Sequence, residues 1–188
     1  MYASAELFRR RGYAATGLKE VLARADAPFG SLYHHFPQGK EQLADEVLRV
    51  GGAFFLALFE QVADAAPDVV AGVHDFFSGA AETLVATDYA DACPIATVAG
   101  EVASTNETLR QATADVFESW LEAARVRFEA GGVPAGEGRD LALAVVALLE
   151  GAFLLSRALR STEPMTAAGE AAAALIGSAL ASAKRGSP

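Results

Sequence analysis

The 188-residue chain holds one cysteine, Cys93, with two methionines, one tryptophan and three histidines. A lone thiol closes no disulfide within the chain and supplies no multi-thiolate metal site, so nothing asks for an oxidising compartment and the cytoplasm is expected. Two histidines are adjacent, His34 and His35, and the third is His74; no ligand spacing links them, and no metal is expected. Basic residues are also in short supply, with 15 Lys plus Arg against 24 Asp plus Glu and a formal net charge of −9. That balance argues against a protein that meets nucleic acid with its whole surface, because phosphates are neutralised by cations. The most apolar stretch, Leu141 to Leu155, is interrupted by Glu150, whose carboxylate would cost about 2.5 to 3.5 kcal/mol at a bilayer centre. It reads as a core helix, and no membrane partner is expected. The opening Met1-Tyr2-Ala3-Ser4-Ala5-Glu6 lacks the basic flank and apolar centre of a signal peptide. Gly-rich phosphate loops, a Gly-x-Ser-x-Gly elbow, His-Glu-x-x-His and a dinucleotide fingerprint are missing too, so neither an enzyme nor a cofactor is expected.

What the chain has in quantity is apolar side chains, 52% of the total, recurring at the three- and four-residue spacing of a helix face. Strand-like alternation bounded by Asn-Gly or Asp-Gly turns is absent, and the fold class is all-α. The spacing predicts a first helix from Met1 to about Arg11, with Leu7 and Phe8 on its apolar face and Gly12 as its stop. Thr16 suits the N-cap of a second helix carrying Leu18, Val21, Leu22 and Ala25. Pro28 suits the first position of a third, Phe29 to about Phe36, which Pro37-Gln38-Gly39 ends. A fourth runs from Lys40 to about Ala65, and others are expected at 68–86, 94–104, 106–130, 138–160 and 166–184. The division expected is a three-helix unit at 1–46 and a larger helical unit at 47–188.

Two short helices joined by a tight turn and supported by a third make a helix-turn-helix, whose second helix enters the DNA major groove. Residues 16–36 fit this pattern. Leu32 and Phe36, four apart, share a face and are expected to pack inward, turning Ser31, Tyr33, His34 and His35 outward. The text from Leu7-Phe8 through Gly12-Tyr13, Thr16 and Gly30-Ser31-Leu32-Tyr33-His34-His35-Phe36 to Gly39-Lys40-Glu41-Gln42-Leu43 resembles the N-terminal domain of the TetR family of transcriptional regulators. The Ala27-Pro28 turn, the Phe36-Pro37-Gln38-Gly39-Lys40 linker and Cys93-Pro94-Ile95-Ala96 resemble in particular the LmrA/YxaF-like subgroup.

The resemblance implies a DNA-contacting set. Thr16 would cap the second helix and donate to a phosphate, Lys19 would meet a phosphate or base, and Gly30 would allow close approach. Ser31, Tyr33, His34 and His35 occupy groove-facing and backbone-contacting positions, and Lys40 would clamp a phosphate. Taken singly each has a plainer reading: an exposed helix end for the histidines, packing for Tyr33, a solvated helix start for Lys40. Two positions depart from the family's habit. Phe29 stands where Lys or a polar residue is common and could touch a thymine methyl, while Asp26 stands where the turn usually has Gly. The family's first helix also tends to begin earlier, behind a basic lead-in not seen here.

The remainder carries bulky aromatics at helical spacing, which in general mark core more often than a binding site. The resemblance implies a C-terminal ligand-binding and dimerisation domain whose cavity needs apolar walls and a few polar anchors. Phe59, Phe77, Phe117 and Trp120 are candidate walls, with His74 and Glu101 as anchors. Leu141, Val145, Leu148, Leu149 and Leu155, interleaved with Ala144, Ala147 and Gly151, and the alanine-rich 171–183 could instead meet their copies across a homodimer. Glu150 would then need a partner, with Arg157 or Arg160 nearest along the chain.

The function expected is a homodimeric, ligand-responsive repressor that reads a palindromic double-stranded DNA operator and is released by a small amphipathic or aromatic inducer. The alternative is a helical ligand-binding or interaction module with weakened DNA binding, motivated by Phe29 and Asp26; an enzyme pairing His74 with Glu101 is a third. Charge is segregated in a way that suits the first. Residues 1–50 hold seven Lys plus Arg against six Asp plus Glu, whereas 51–188 hold eight against eighteen. An acidic body would repel the duplex and leave Arg9, Arg10, Arg11, Lys19, Arg24 and Lys40 to face phosphate.

Overall fold

A computed structural model describes residues 1–186; Ser187 and Pro188, the end of the expected second domain, lie outside the described residues. Among the described residues there are nine helices and no strand. They are α1 (Tyr2–Arg11), α2 (Leu18–Arg24), α3 (Phe29–His35), α4 (Lys40–Ala65), α5 (Val69–Ala86), α6 (Pro94–Val102), α7 (Glu107–Ala130), α8 (Gly138–Leu159) and α9 (Glu163–Gly186). The chain groups into two compact units, residues 1–55 with 92–117 and residues 56–91 with 118–188. This spatial grouping differs from the linear division expected after residue 46. Helices α4 and α7 are each long enough to serve both units, and α6 packs with α1 rather than with the helices that precede it.

In the first unit, Leu7 and Phe8 of α1, Val21 and Leu22 of α2, Leu32 of α3, and Leu43, Ala44, Val47 and Leu48 of α4 are buried. Ile95, Val98 and Val102 of α6 and Leu109, Ala112 and Val116 of α7 complete its apolar interior. At Gly52 a Cβ would come 2.4 Å from Val116 Cγ1, so glycine lets α4 approach α7 there. Asn106 caps α7 by accepting the Leu109 N–H at 2.9 Å and donates to Glu41 at 2.6 Å, tying the start of α7 to that of α4.

The second unit is built on α5, α8 and α9. Val73, Phe77 and Leu84 pack with Leu121, Ala124 and Phe128 of α7, Ala142, Val145, Leu149 and Ala152 of α8, and Met165, Ala168, Ala172 and Ile176 of α9. Two glycines bring helices together: a Cβ at Gly169 would stand 2.8 Å from that of Phe77, and one at Gly72 would stand 3.3 Å from the Ala63 Cα. By length and mean hydropathy α8 and α9 could each cross a membrane. Their small and branched residues are nevertheless the ones that fill this core, as for a packed helix body.

Several local expectations are corrected. Gly17, not Thr16, is the N-cap of α2, and Pro28 is the N-cap of α3 rather than its first helical residue. Helix α9 begins at Glu163, because Pro164 falls in its first turn, where a missing N–H costs nothing. Arg157 and Arg160 are turned to the α5–α6 loop. Arg157 donates to the Tyr89 and Ala90 carbonyls, both at 3.3 Å, and Arg160 pairs with Asp88 at 2.5 Å. That loop contains two successive left-handed residues, Asp88 at φ 51° and Tyr89 at φ 57°, a conformation held by such external bonds.

Candidate nucleic-acid interface

Helices α2 and α3 are joined by a turn in which Asp26 takes a left-handed φ of 48° and the Ala27 N–H bonds back to the Leu22 carbonyl at 3.0 Å. Aspartate tolerates that region better than most side chains, which explains how it replaces the usual glycine. Pro28 then sets the extended entry, and Ser31 Oγ donates to the Pro28 carbonyl at 2.8 Å. After α3, Gly39 at φ 70° reverses the chain into α4.

Seven residues of α3 bury a single side chain, Leu32 at 4% exposure. Phe36, just past its end, is half-buried. Everything else faces out: Phe29, Gly30, Tyr33, His34 and His35 are exposed and Ser31 partly so. Phe29 and Tyr33, four apart, lie tilted with ring centroids 5.7 Å apart, and His34 and His35 meet edge-on at 5.1 Å. The result is a short helix whose outward face is aromatic and imidazole-rich, with little charge of its own.

The basic residues around it are largely engaged within the unit. Arg24 holds Glu6 with two hydrogen bonds, at 2.8 and 2.5 Å, and Arg10 pairs with the same carboxylate at 3.1 Å. Arg11 pairs with Glu20. These contacts clamp α1 to α2, and the Arg24 hydrogen bond holds the Glu6 carboxyl below its usual range. Lys40 Nζ lies 4.2 Å from the centre of the Tyr13 ring and donates to the Ala14 carbonyl at 3.4 Å. Burial pushes its ammonium down in pKa, while the Glu101 charge pushes it back up. Lys19 is exposed and, among the described residues, forms no ion pair.

Thr16 departs furthest from its expected role. It is 1% exposed and its hydroxyl donates to the Gly12 carbonyl at 2.7 Å, inside the unit. Spacing gave the face of α3, but no local signal announced that the positive φ of Gly12 would aim a carbonyl at Thr16.

The residues expected to form a ligand site are only partly brought together. His74 and Phe77, with Ser78, Ala81, Thr166 and Gly169, line a shallow cavity of about 160 Å³ between α5 and α9. Phe59 packs edge-on against Phe76 at 5.5 Å, and Trp120 is half-buried. Glu101 and Phe117 belong to the first unit. There Glu101 accepts the Ala14 N–H at 2.8 Å, a contact that sequence spacing could not reveal across 87 residues. His74 keeps an acidic neighbour, Asp75, at 3.7 Å, and no group of three or more potential metal ligands occurs among the described residues.

Comparison with known proteins places the two halves. The model of bacterial regulatory proteins of the tetR family matches residues 1–47, and that of the transcriptional regulator LmrA/YxaF-like C-terminal domain matches 69–171. The HTH-type transcriptional regulator YxaF of Bacillus subtilis (strain 168) is 31% identical over 165 residues, 88% of this chain and 86% of that protein. An HTH-type transcriptional regulator of Mycobacterium tuberculosis (strain ATCC 25618 / H37Rv) is 34% identical over 167 residues, 86% of this chain and 84% of the relative. In fold, the crystal structure of the regulatory protein TetR from Rhodobacter sphaeroides superposes with a TM-score of 0.83 at 23% identity, covering 92% of this chain and 94% of the other.

Proposed function

The chain belongs to the TetR family of bacterial regulatory proteins, in the branch with an LmrA/YxaF-like C-terminal domain, and from that membership we propose that it is a homodimeric repressor released from a palindromic operator by a small molecule. As a family member it is a DNA-binding transcriptional regulator; the repressor role, the operator symmetry and the ligand response are the proposal, as is its place in the cytoplasm. The observation that carries it is the division of α3, with Leu32 alone buried and Phe29, Gly30, Tyr33, His34 and His35 all exposed. Those five, with Ser31, would read the major groove, and Lys19 would hold a phosphate. Thr16 and Lys40 support the reading helix from within the unit.

Dimerisation through α8 and α9 is favoured by what those helices leave uncovered. Leu143, Leu154, Leu155 and Leu159 of α8 and Leu175 of α9 are exposed, with Gly151 and Gly177 between them facing open space. A two-fold pairing of that face would set two α3 helices in successive major grooves, about 34 Å apart or somewhat more. For the inducer, the His74–Phe77 cavity is smaller than the roughly 300 Å³ that drug-sized ligands occupy, so it suits one aromatic ring of an amphipathic molecule. Binding there would act by its preference for one of two head arrangements.

The test is binding of the purified dimer to palindromic DNA from beside its own gene, across a salt series and with aromatic compounds added. Sequence-selective binding, weakened by salt and by a compound that also quenches Trp120, is expected. Binding without sequence preference at every salt concentration sinks the regulator reading. A second reading, a ligand-binding module with weakened DNA affinity, draws on the apolar Phe29 and the arginines already paired with Glu6 and Glu20. Phe29→Lys separates the two: a compromised reader gains affinity, an intact one loses selectivity.

A further inference from the structure

The turn between α1 and α2 is held from α6 by one side chain. Glu101, next to last in α6, accepts the Ala14 N–H through Oε2 at 2.8 Å. Its other oxygen fills the space beside Gly12, where a Cβ would come 1.5 Å from Oε1. Gly12 also has φ 82°, a backbone conformation that favours glycine at that position. The turn's other polar groups are tied as well: the Gly12 carbonyl accepts from Thr16 and the Ala14 carbonyl from Lys40. Lys40 meanwhile covers the Tyr13 ring. Three side chains, Thr16, Lys40 and Glu101, from three places in the sequence thus tie the 12–16 turn, and Glu101 is the one contributed by α6.

We infer that Glu101 is a positioning residue for DNA reading: its carboxylate fixes the 12–16 turn and thereby the angle at which α2 and α3 are presented to the groove. The inference rests on the regulator reading above and adds to it the residue through which α6 grips the reading unit. Gly17, the N-cap of α2, follows the turn immediately, and α2 packs on α3. A shift of Ala14 therefore carries over to the whole helix pair. A carboxylate suits the task because a charge-assisted acceptor holds an amide more firmly than a neutral one.

The experiment uses full-length dimer and the palindrome selected by the wild-type protein, comparing Glu101→Ala and Glu101→Gln. Glutamine keeps an acceptor oxygen at the same reach, whereas alanine removes it. Operator affinity should fall about ten-fold or more in the alanine variant and recover most of the way with glutamine. Both variants should melt close to wild type, and Ala14 amide exchange should quicken in the alanine variant alone. Wild-type affinity in Glu101→Ala overturns the inference, as does an equal loss in both variants accompanied by parallel falls in melting temperature. Wild-type protein without sequence preference overturns the regulator reading itself, and that is measured before any variant is made.

Discussion

The short helices of the first unit are tied to their neighbours mainly by charge, whereas the second unit, which has ion pairs of its own between Arg127 and Asp64, Arg139 and Glu118, and Arg160 and Asp88, adds a broad close approach of small side chains. In the first, Glu6 joins Arg24 and Arg10, Arg11 joins Glu20, Arg49 joins Asp115 at 3.0 Å, and Glu41 takes a hydrogen bond from Asn106. In the second, Gly169, Ala142, Ala152, Ala168 and Ala172 let α5, α8 and α9 pack directly, and Gly72 lets α5 approach the end of α4. The contrast follows from helix length. Seven-residue helices such as α2 and α3 bury two and one apolar side chains respectively, too few to fix their orientation by burial alone, so polar ties supply the rest. Helices of more than twenty residues bury enough on one face to leave leucines exposed on another. One unit therefore presents a short outward-facing helix held by polar ties, while the other leaves apolar side chains exposed on α8 and α9.

The sharpest way to break that division is to charge the exposed face of α8. If α8 forms the proposed seam, Leu155→Glu with Leu159→Glu should convert the dimer to a monomer in sedimentation experiments and, by removing the second head, lower operator affinity about 100-fold or more. Each subunit should keep its helical content, because both leucines are already exposed. A core change in the same unit should do the reverse. Phe128, 0% exposed, should cost about 3 to 5 kcal/mol on replacement by alanine, read as a large fall in the midpoint of denaturant unfolding.

In the first unit the corresponding surface change should separate binding from stability. Tyr33→Ala should weaken operator binding by about 1 to 3 kcal/mol while leaving the unfolding midpoint nearly unchanged. The smallest effect belongs to the brace. Glu6→Gln should cost less than about 1 kcal/mol of stability at neutral pH, since the pair is partly exposed. Its pH dependence has a definite sign. Because Arg24 holds the Glu6 carboxyl below its ordinary value of 4.5, the pair's contribution is fully present above that value and disappears as pH falls beneath it. Wild type and Glu6→Gln should thus converge in thermal stability in acid, and a gap that persists at low pH would show that the brace is not electrostatic.

The two units were also unequally legible in the sequence. Helix α4 is found from Lys40 to Ala65 as its spacing predicts, and the outward face of α3 follows from the four-residue step between Leu32 and Phe36. Both are local properties, written in neighbouring residues. Thr16, a residue type that makes a good cap, stands one position before the actual cap, Gly17, and its hydroxyl donates to the Gly12 carbonyl. Glu101 misled in a different way. A glutamate among aromatics looks like an anchor for a ligand, and only the packing of α6 on α1 reveals that its acceptor role is filled by Ala14. Spacing along α8 also does not reveal that Arg157 and Arg160 meet the α5–α6 loop, far away in sequence, which presents carbonyls and Asp88 to them.

The shared carboxylate of Glu6 bears on how this regulator should respond to salt. When a free lysine meets a phosphate, condensed cations leave the DNA and enter solution, and that release makes binding fall steeply with ionic strength. Arg10, Arg11 and Arg24 instead arrive with Glu6 and Glu20 as built-in counterions, so a phosphate that recruits them displaces a tethered carboxylate that stays with the protein. The slope of log affinity against log salt should then be shallower than a count of basic residues in the first unit suggests, and steepen when Glu6 and Glu20 are made glutamine. Under the proposed function, this would dilute the hold on arbitrary DNA and leave the aromatic face of α3 a larger share of the discrimination.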